Sequence, residues 1–368
     1  MIRMPWTNHT APNVMLEVTD ACNLRCRACY KKPGSTFKTL DQVRQDLDTG
    51  ATLRPLHTVT ISGGEPTLHP DLPAILSMVK QRRVHVFLLT NGLNLNENRL
   101  RLFKTSGLDS ILFHVDAGQN RPDLPSNPDF PAIRKRLSGL VSAATACGLD
   151  VSISATLYGE TMEFLRQLCA YVFAEPEITF LFLAKGRDPR STLPPQPYLP
   201  VGEELDTVAI QSFFEREFDV EPFAYIPSSI GPRIPWLSFF VPIAYRGRKS
   251  TWFRIRSNWS DRTLMAIPRL LRGHYIHKTT QNAPLTLLRT AINAATTFRP
   301  LTFSRFLAAS WGARLGHKMI VYDDGPVRLA DGSLEHCLYC PTAIVRGDTL
   351  LPCCTADYSE SRPSEKSP

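Results

Sequence analysis

Three cysteines, Cys22, Cys26 and Cys29, stand in one short run ending at Tyr30, just after the apolar stretch Val14–Thr19. Three thiolates on one loop can ligate three irons of a cubane [4Fe–4S] cluster. The loop offers no fourth thiolate, so one iron keeps an open site for a substrate or cofactor. A second group lies near the end of the chain: Cys337 and Cys340 as C-x2-C, then, after twelve intervening residues, the adjacent pair Cys353 and Cys354. Four thiols suffice for one metal centre, and both zinc and iron–sulfur accept such a set. Successive side chains on extended backbone point apart, so Cys353 or Cys354 is expected to be free, with His336 or Asp357 as a substitute ligand. Cys147 and Cys169 stand alone on predicted helices and read as ordinary buried thiols.

The elements that must position the first group alternate. Strand-like runs at Val14–Thr19, Val59–Ser62, Val84–Thr90, Ile111–Asp116, Val151–Thr156 and Ile178–Leu183 are separated by helix-like stretches near 39–49, 71–82, 97–105, 132–147 and 160–174, and a further helix is expected at 202–217. The runs are rich in Val, Ile, Leu and Phe, as strands buried on both faces must be. Six such units imply a parallel sheet that curls into a partial (β/α)6 barrel, an α/β fold whose functional groups gather at the C-terminal strand ends. The cysteine loop and Gly63-Gly64-Glu65-Pro66 both fall at such ends.

The C-x3-C-x2-C spacing with an aromatic residue after the third cysteine, followed by Gly63-Gly64-Glu65-Pro66 and the ordered strands, resembles the radical S-adenosylmethionine (SAM) enzymes over roughly residues 12 to 225. The resemblance implies an oxygen-sensitive enzyme in which Cys22, Cys26 and Cys29 hold the cluster and SAM chelates the open iron. One electron then breaks a carbon–sulfur bond, and the 5′-deoxyadenosyl radical abstracts hydrogen from an organic substrate. It implies further that Gly63 and Gly64 let backbone approach the ligand and that Glu65, beside Pro66, accepts from the SAM ammonium. Tyr30 contacts adenine largely through its backbone, and Asn91, Asp116 and Ser154 face ribose and methionine. Thr90, Gly92 and Ser152 lie at neighbouring strand-end positions, and Asp116, Gln119 and Arg121 are candidates to face substrate. A one-electron donor such as flavodoxin or ferredoxin is the expected partner. His57, His69 and His85 have no partners at ligand spacing and read as structural.

Gly332–Cys337 is similar to the SPASM or twitch type of C-terminal extension, which implies that Cys337, Cys340, Cys353 and Cys354 hold one auxiliary [4Fe–4S] cluster, with structural zinc as the alternative. The expected organisation is an N-terminal segment at 1–11, the core at 12–225, a basic aromatic helical region at 226–330, a cysteine-rich segment at 331–358 and a polar, disordered tail at 359–368. A proline-rich loop is expected at 187–200.

Composition sets the outer bounds. The 368 residues are 43% hydrophobic and carry a net charge of +8, with nine cysteines. No run approaches the ~20 apolar residues of a membrane span, and no signal-peptide core follows Met1, so a reducing cytoplasm is expected and clustered cysteines point to metal. The charge is unevenly spread. Residues 245–318 hold fourteen Lys and Arg against one acid, Asp261, interleaved with aromatic residues and carried on amphipathic helices expected at 266–273, 285–298 and 304–315. Such a region suits an anionic lipid or isoprenoid substrate, with peripheral contact to an anionic membrane. A peptide-modifying enzyme is the second reading, and no leader-binding domain is expected before the core. RNA modification is third, nucleic acid being the weaker partner. A non-catalytic iron–sulfur scaffold is the reading from another class; loss of a loop cysteine or of Gly63-Gly64-Glu65 would have signalled it, and neither is lost.

Overall fold

The computed structural model describes residues 1–158, 162–187, 205–247 and 249–358. The proline-rich stretch, apart from Arg187, and the tail at 359–368 lie outside the described residues, as does Arg248.

The six expected strands form in order: β1 Asn13–Glu17, β2 Thr58–Ser62, β3 His85–Thr90, β4 Ser110–His114, β5 Asp150–Leu157 and β6 Ile178–Lys185. Each is parallel to the next. The helices between and after them are α1 Leu40–Leu53, α2 Leu72–Lys80, α3 Glu97–Thr105, α4 Phe130–Ala146, α5 Met162–Ala174 and α6 Thr207–Phe218. Local chemistry sets where they begin: Thr39 and Gln42 cap α1 reciprocally, and the side chains of Asn96, Asp129 and Asp206 cap α3, α4 and α6. One strand face packs on these helices through residues such as Leu16, Ile61, Leu88, Phe113 and Ile153, all buried. The opposite face is more polar, with Thr60, Ser62, Ser110, Ser152 and Ser154 buried within the barrel.

The region after the barrel contains the expected helices, as α7 Trp259–Arg272, α8 Ala283–Thr296 and α9 Pro300–Ser310, but it is as much strand as helix. β7 (Trp236–Arg246) and β8 (Arg314–Asp323) pair antiparallel along their length, and β8 runs parallel to β6. At the other edge, β9 (Ala343–Arg346) joins β1 through Ile344 and Met15, and β10 (Thr349–Pro352) folds back on β9. C-terminal strands thus flank both edges of the barrel sheet. β7 is hard to read because it is buried on both faces and so has no alternation, and because it carries Pro242.

The base of the barrel is closed by the chain segment after α7. Lys278 reaches inside, donates to Ser152 Oγ at 3.0 Å and lies 4.1 Å from the centre of the Phe87 ring. His57, His69 and His85 are hydrogen-bonded within the fold, to Thr58 Oγ1, the Lys38 carbonyl and Ser110 Oγ. Burial lowers the pKa of His57 and His85 to about 4 and that of the neighbouring His277 to about 3.

Candidate active site and second thiol centre

The cysteine loop follows β1 and is pinned by the ends of three other strands. Gly64 N–H donates to the Thr19 carbonyl at 2.8 Å and Glu65 N–H to the Ala21 carbonyl at 2.7 Å. Asn91 Nδ2, past the end of β3, donates to Asn23 Oδ1 at 2.7 Å, and Arg27 N–H donates to the Gly118 carbonyl, past the end of β4, at 2.8 Å. The thiols of Cys22 and Cys29 are exposed and that of Cys26 is half-buried. Burial first, then Asp116 and the other two cysteines, push the Cys26 thiol up to about 12. Without a metal Cys26 therefore stays protonated at neutral pH, and binding a metal there releases its proton.

The glycines serve the loop itself. A Cβ on Gly63, whose φ is 146°, would sit 2.2 Å from the Thr19 carbonyl oxygen, and one on Gly64 would sit 2.2 Å from that of Ala21. The close approach expected for a ligand is thus made by the chain's own backbone. Glu65 is buried and already engaged: Oε1 accepts from Thr67 N–H, Thr67 Oγ1 and Thr90 Oγ1, and Oε2 from Asn91 N–H at 2.8 Å. With one bond at Oε2, the carboxylate keeps acceptor capacity there. Pro66 opens a short 3₁₀ turn capped by the same Glu65.

A second polar group lies at the ends of β4 and β5. His114 Nδ1 meets Ser154 Oγ at 2.7 Å, its Nε2 lies 2.8 Å from Asp116 Oδ2, and Asp116 also accepts from Thr156 N–H and Gly118 N–H. Arg121, expected to face substrate, has a buried side chain that donates to the Asn91 carbonyl and pairs with Asp123. Gln119 caps Asp116 and donates to the His114 carbonyl. Asp116, Ser154, Asn91 and Glu65 therefore form one connected polar floor beside the loop. Ser152, at the depth of Lys278, is apart from it. The Tyr30 side chain turns away from this floor, to the Ser62 hydroxyl and towards Glu17 and Cys353, and burial first, then Cys353 and Glu17, raise its pKa against the lowering effect of the Ser62 bond.

At the other end of the chain the four thiols gather. Cys340 and Cys353 each lie 3.4 Å from Thr342 Oγ1, Cys354 is beside Cys340, and Cys337 is beside both Cys340 and Cys354. Cys353 and Cys354 lie in a turn after β10, where alternation does not apply, so both join the group. Cys353 is held up by the bond it donates to Cys340 and by burial, Cys337 and Cys354 by burial; Cys340, receiving that bond, comes down to about 7. The substitute ligands are committed elsewhere. His336 Nδ1 meets the Cys337 carbonyl, and Asp357 pairs with Lys31 at 2.7 Å and accepts from Lys32 N–H at 3.0 Å. Among the described residues no three His, Cys, Asp or Glu side chains stand at the spacing of a single bound ion.

Two features were not visible in the sequence. Asp323, at the end of β8, is half-buried beside Cys337 and Cys354, and desolvation raises its carboxyl to about 6. Lys31, Glu17, Arg346 and Asp357 form a network of ion pairs, with Lys31 3.0 Å from Glu17 and Arg346 2.5 Å from it. It ties the first barrel strand and the cysteine loop to the C-terminal segment, beside a cleft of about 320 Å³. Only chain reversal over hundreds of residues brings these four together, so no local spacing signals them.

The donor set suits an iron–sulfur cluster: three thiols on one loop, two of them open to solvent, above a polar floor with acceptor capacity at Glu65. Comparison with known proteins agrees. Residues 16–171 match the family model of the Radical SAM superfamily. Over 161 residues the chain is 30% identical to GTP 3′,8-cyclase of Streptomyces coelicolor, covering 40% of this chain and 45% of that protein. Over 126 residues it is 29% identical to 7,8-dihydro-6-hydroxymethylpterin dimethyltransferase of Methanocaldococcus jannaschii, covering 32% and 25%. The chain thus spans less than half the length of these relatives. Streptococcus suis SuiB superposes on 58% of this chain and 46% of its own, at 17% identity and a TM-score of 0.45. The chain carries a radical SAM domain over residues 16–171, followed by a cysteine-rich C-terminal region.

Proposed function

We propose that this chain is an enzyme that cleaves SAM reductively at a [4Fe–4S] cluster held by Cys22, Cys26 and Cys29, and uses the cleavage to take hydrogen from an organic substrate. The observation that carries this reading is the loop of three thiols, two of them open to solvent, beside the polar floor of Glu65, Asn91, Asp116 and Ser154. When bound there, the cluster with SAM supplies one-electron cleavage of a carbon–sulfur bond and hydrogen abstraction from an unactivated carbon. The chain's own residues do the rest. Gly63 and Gly64 let the loop lie flat on the end of β2, so its thiols hold a fixed posture. Glu65 locks the ends of β2 and β3 together and offers Oε2 to an ammonium group. His114, held by Asp116 and Ser154, is a positioned donor or acceptor at the floor.

The substrate is an anionic lipid or isoprenoid. The reading is supported by the exposed Arg262, Arg269, Arg272 and Arg305 beside exposed Trp259 and leucines, which match a phosphate head and an apolar tail. The electron comes from a flavodoxin or ferredoxin. The four C-terminal thiols hold a second [4Fe–4S] cluster, since both Cys353 and Cys354 join Cys337 and Cys340. The test is anaerobic reconstitution with iron and sulfide, then dithionite and SAM, with 5′-deoxyadenosine read by chromatography. Its release is expected, and none from reconstituted protein overturns the assignment.

A further inference from the structure

Among the described residues fifteen large hydrophobic side chains are exposed, and ten of them lie between Trp259 and Trp311. Two of the helices there, α7 and α8, are largely inside out. On α7 the buried residues are Ser260 and Asp261, whereas Leu270 and Leu271 are 82% and 78% exposed. On α8 the buried residues include Thr286, Thr290 and Asn293, with Leu285 and Leu288 turned to solvent. The inward polar groups are satisfied: Thr286 Oγ1 meets His317 Nδ1 at 3.0 Å and Asn293 Nδ2 donates to the Arg256 carbonyl at 2.8 Å. On α7 and α8 the fully buried positions are therefore polar apart from Ala294, and leucines are left outward, whereas α9 docks through Phe306 and leaves Leu301 and Leu307 outward. Apolar patches of this extent mark an interaction surface.

Charge selects the occupant. Arg262, Arg269 and Arg272 on α7 and Arg305 on α9 are exposed around this face. The one acid of the region, Asp261, is buried beside Arg289 and opposes nothing at the surface. A second copy would bring the same arginines against one another across a two-fold axis. The protruding side chains of α7 and α8 are mostly leucines, poor platforms for nucleic-acid bases. We infer that α7, α8 and α9 seat this chain on an anionic lipid bilayer, with the leucines and tryptophans entering the boundary between headgroups and acyl chains and the arginines at lipid phosphates. The inference deepens the amphiphile-substrate reading and rests on it for its purpose, though not for its geometry.

The probe is the full chain with vesicles of phosphatidylcholine alone or mixed with phosphatidylglycerol, read by co-sedimentation. Binding to the anionic vesicles is expected to exceed that to neutral ones by roughly tenfold or more at low salt and to fall as salt screens the arginines. The double variant Leu270→Asp with Leu271→Asp should abolish binding, and Arg262→Glu with Arg272→Glu should lower it by at least roughly thirtyfold. Both pairs are exposed, so the melting temperature should hold. Arg289 is left alone, because it stacks between Phe223 and Phe240 inside the fold. Equal binding to both vesicles, no binding, or self-association without lipid that the leucine pair removes would each overturn the inference. SAM cleavage by the unaltered chain separates the two readings: no docking with cleavage intact fails this inference alone, and docking without cleavage fails the radical reading alone.

Discussion

The two thiol groups share their chemistry and differ in what surrounds them. Cys22, Cys26 and Cys29 sit on a loop held by backbone bonds and by Asn23, with two thiols exposed. Cys337 and Cys340 are buried, and Cys353 and Cys354 are half-buried in a turn behind a two-stranded hairpin. An open set leaves room for a cosubstrate beside its metal, whereas a closed set has its surroundings filled by protein. Enclosure, more than ligand type, separates a reactive centre from a resident one, and that difference is open to experiment.

The largest effect is expected from replacing Cys22, Cys26 and Cys29 together by Ala. SAM cleavage should vanish while about four irons per chain remain in the closed set. Loss of all iron would break the comparison, because the two sets would then depend on one another. Conversely, Cys337→Ser with Cys354→Ser should remove the remaining iron from that variant and lower thermal stability; zinc near one equivalent with no residual iron would assign the closed set to a structural ion.

Posture of the open loop is tested by Gly63→Ala. The added carbon meets the Thr19 carbonyl oxygen at 2.2 Å, in a conformation that L-residues avoid. A cost of about 3 kcal/mol is expected, together with weaker cleavage. The control is Gly139→Ala in α4, where nothing lies within 4 Å of the new carbon; it should stabilise by about 0.5–1 kcal/mol. Similar melting temperatures for the two variants would show that the loop does not depend on the close approach.

The smallest effect asks what enclosure does to a charge away from any metal. Burial depresses the Lys278 ammonium to about 7. The folded state then binds fewer protons than the unfolded chain between about pH 7 and the ordinary lysine value near 10.4, so stability should rise with pH across that window. Lys278→Met should stabilise the protein at pH 7 and flatten this rise in urea unfolding at pH 7, 8 and 9. A variant with the unaltered slope would mean that Lys278 keeps its charge inside the barrel.

Much of the barrel was legible because each of its strands is a short apolar run between turn signals, and helix starts at Thr39, Asn96 and Asp129 carry their own caps. The grouping of the cysteines was legible only in part, since one of Cys353 and Cys354 was expected to stand apart and the turn after β10 brings both in. What escaped was whatever depends on which side of an element faces inward. α7 and α8 read as amphipathic, yet periodicity does not tell whether the apolar stripe or the polar one meets the protein. Arg289 looks like its surface neighbours in sequence and is enclosed by two phenylalanines in the fold. β7 and β8 have no alternation to report them, and the Lys31, Glu17, Arg346 and Asp357 network joins positions too far apart for any spacing rule.

Arg346 and Glu17 are 329 positions apart in the chain. At a synthesis rate of ~5–20 residues per second, the first barrel strand waits roughly 16–66 s for the partner that completes its edge. Until β9 docks, Glu17 lacks Arg346, Lys31 lacks Asp357 and the Cys22–Cys29 loop is anchored from one side only. A chain synthesised only through the barrel and one in which β9 has docked therefore present the same three cysteines with different stiffness, and a strand made late sets the rigidity of an early loop.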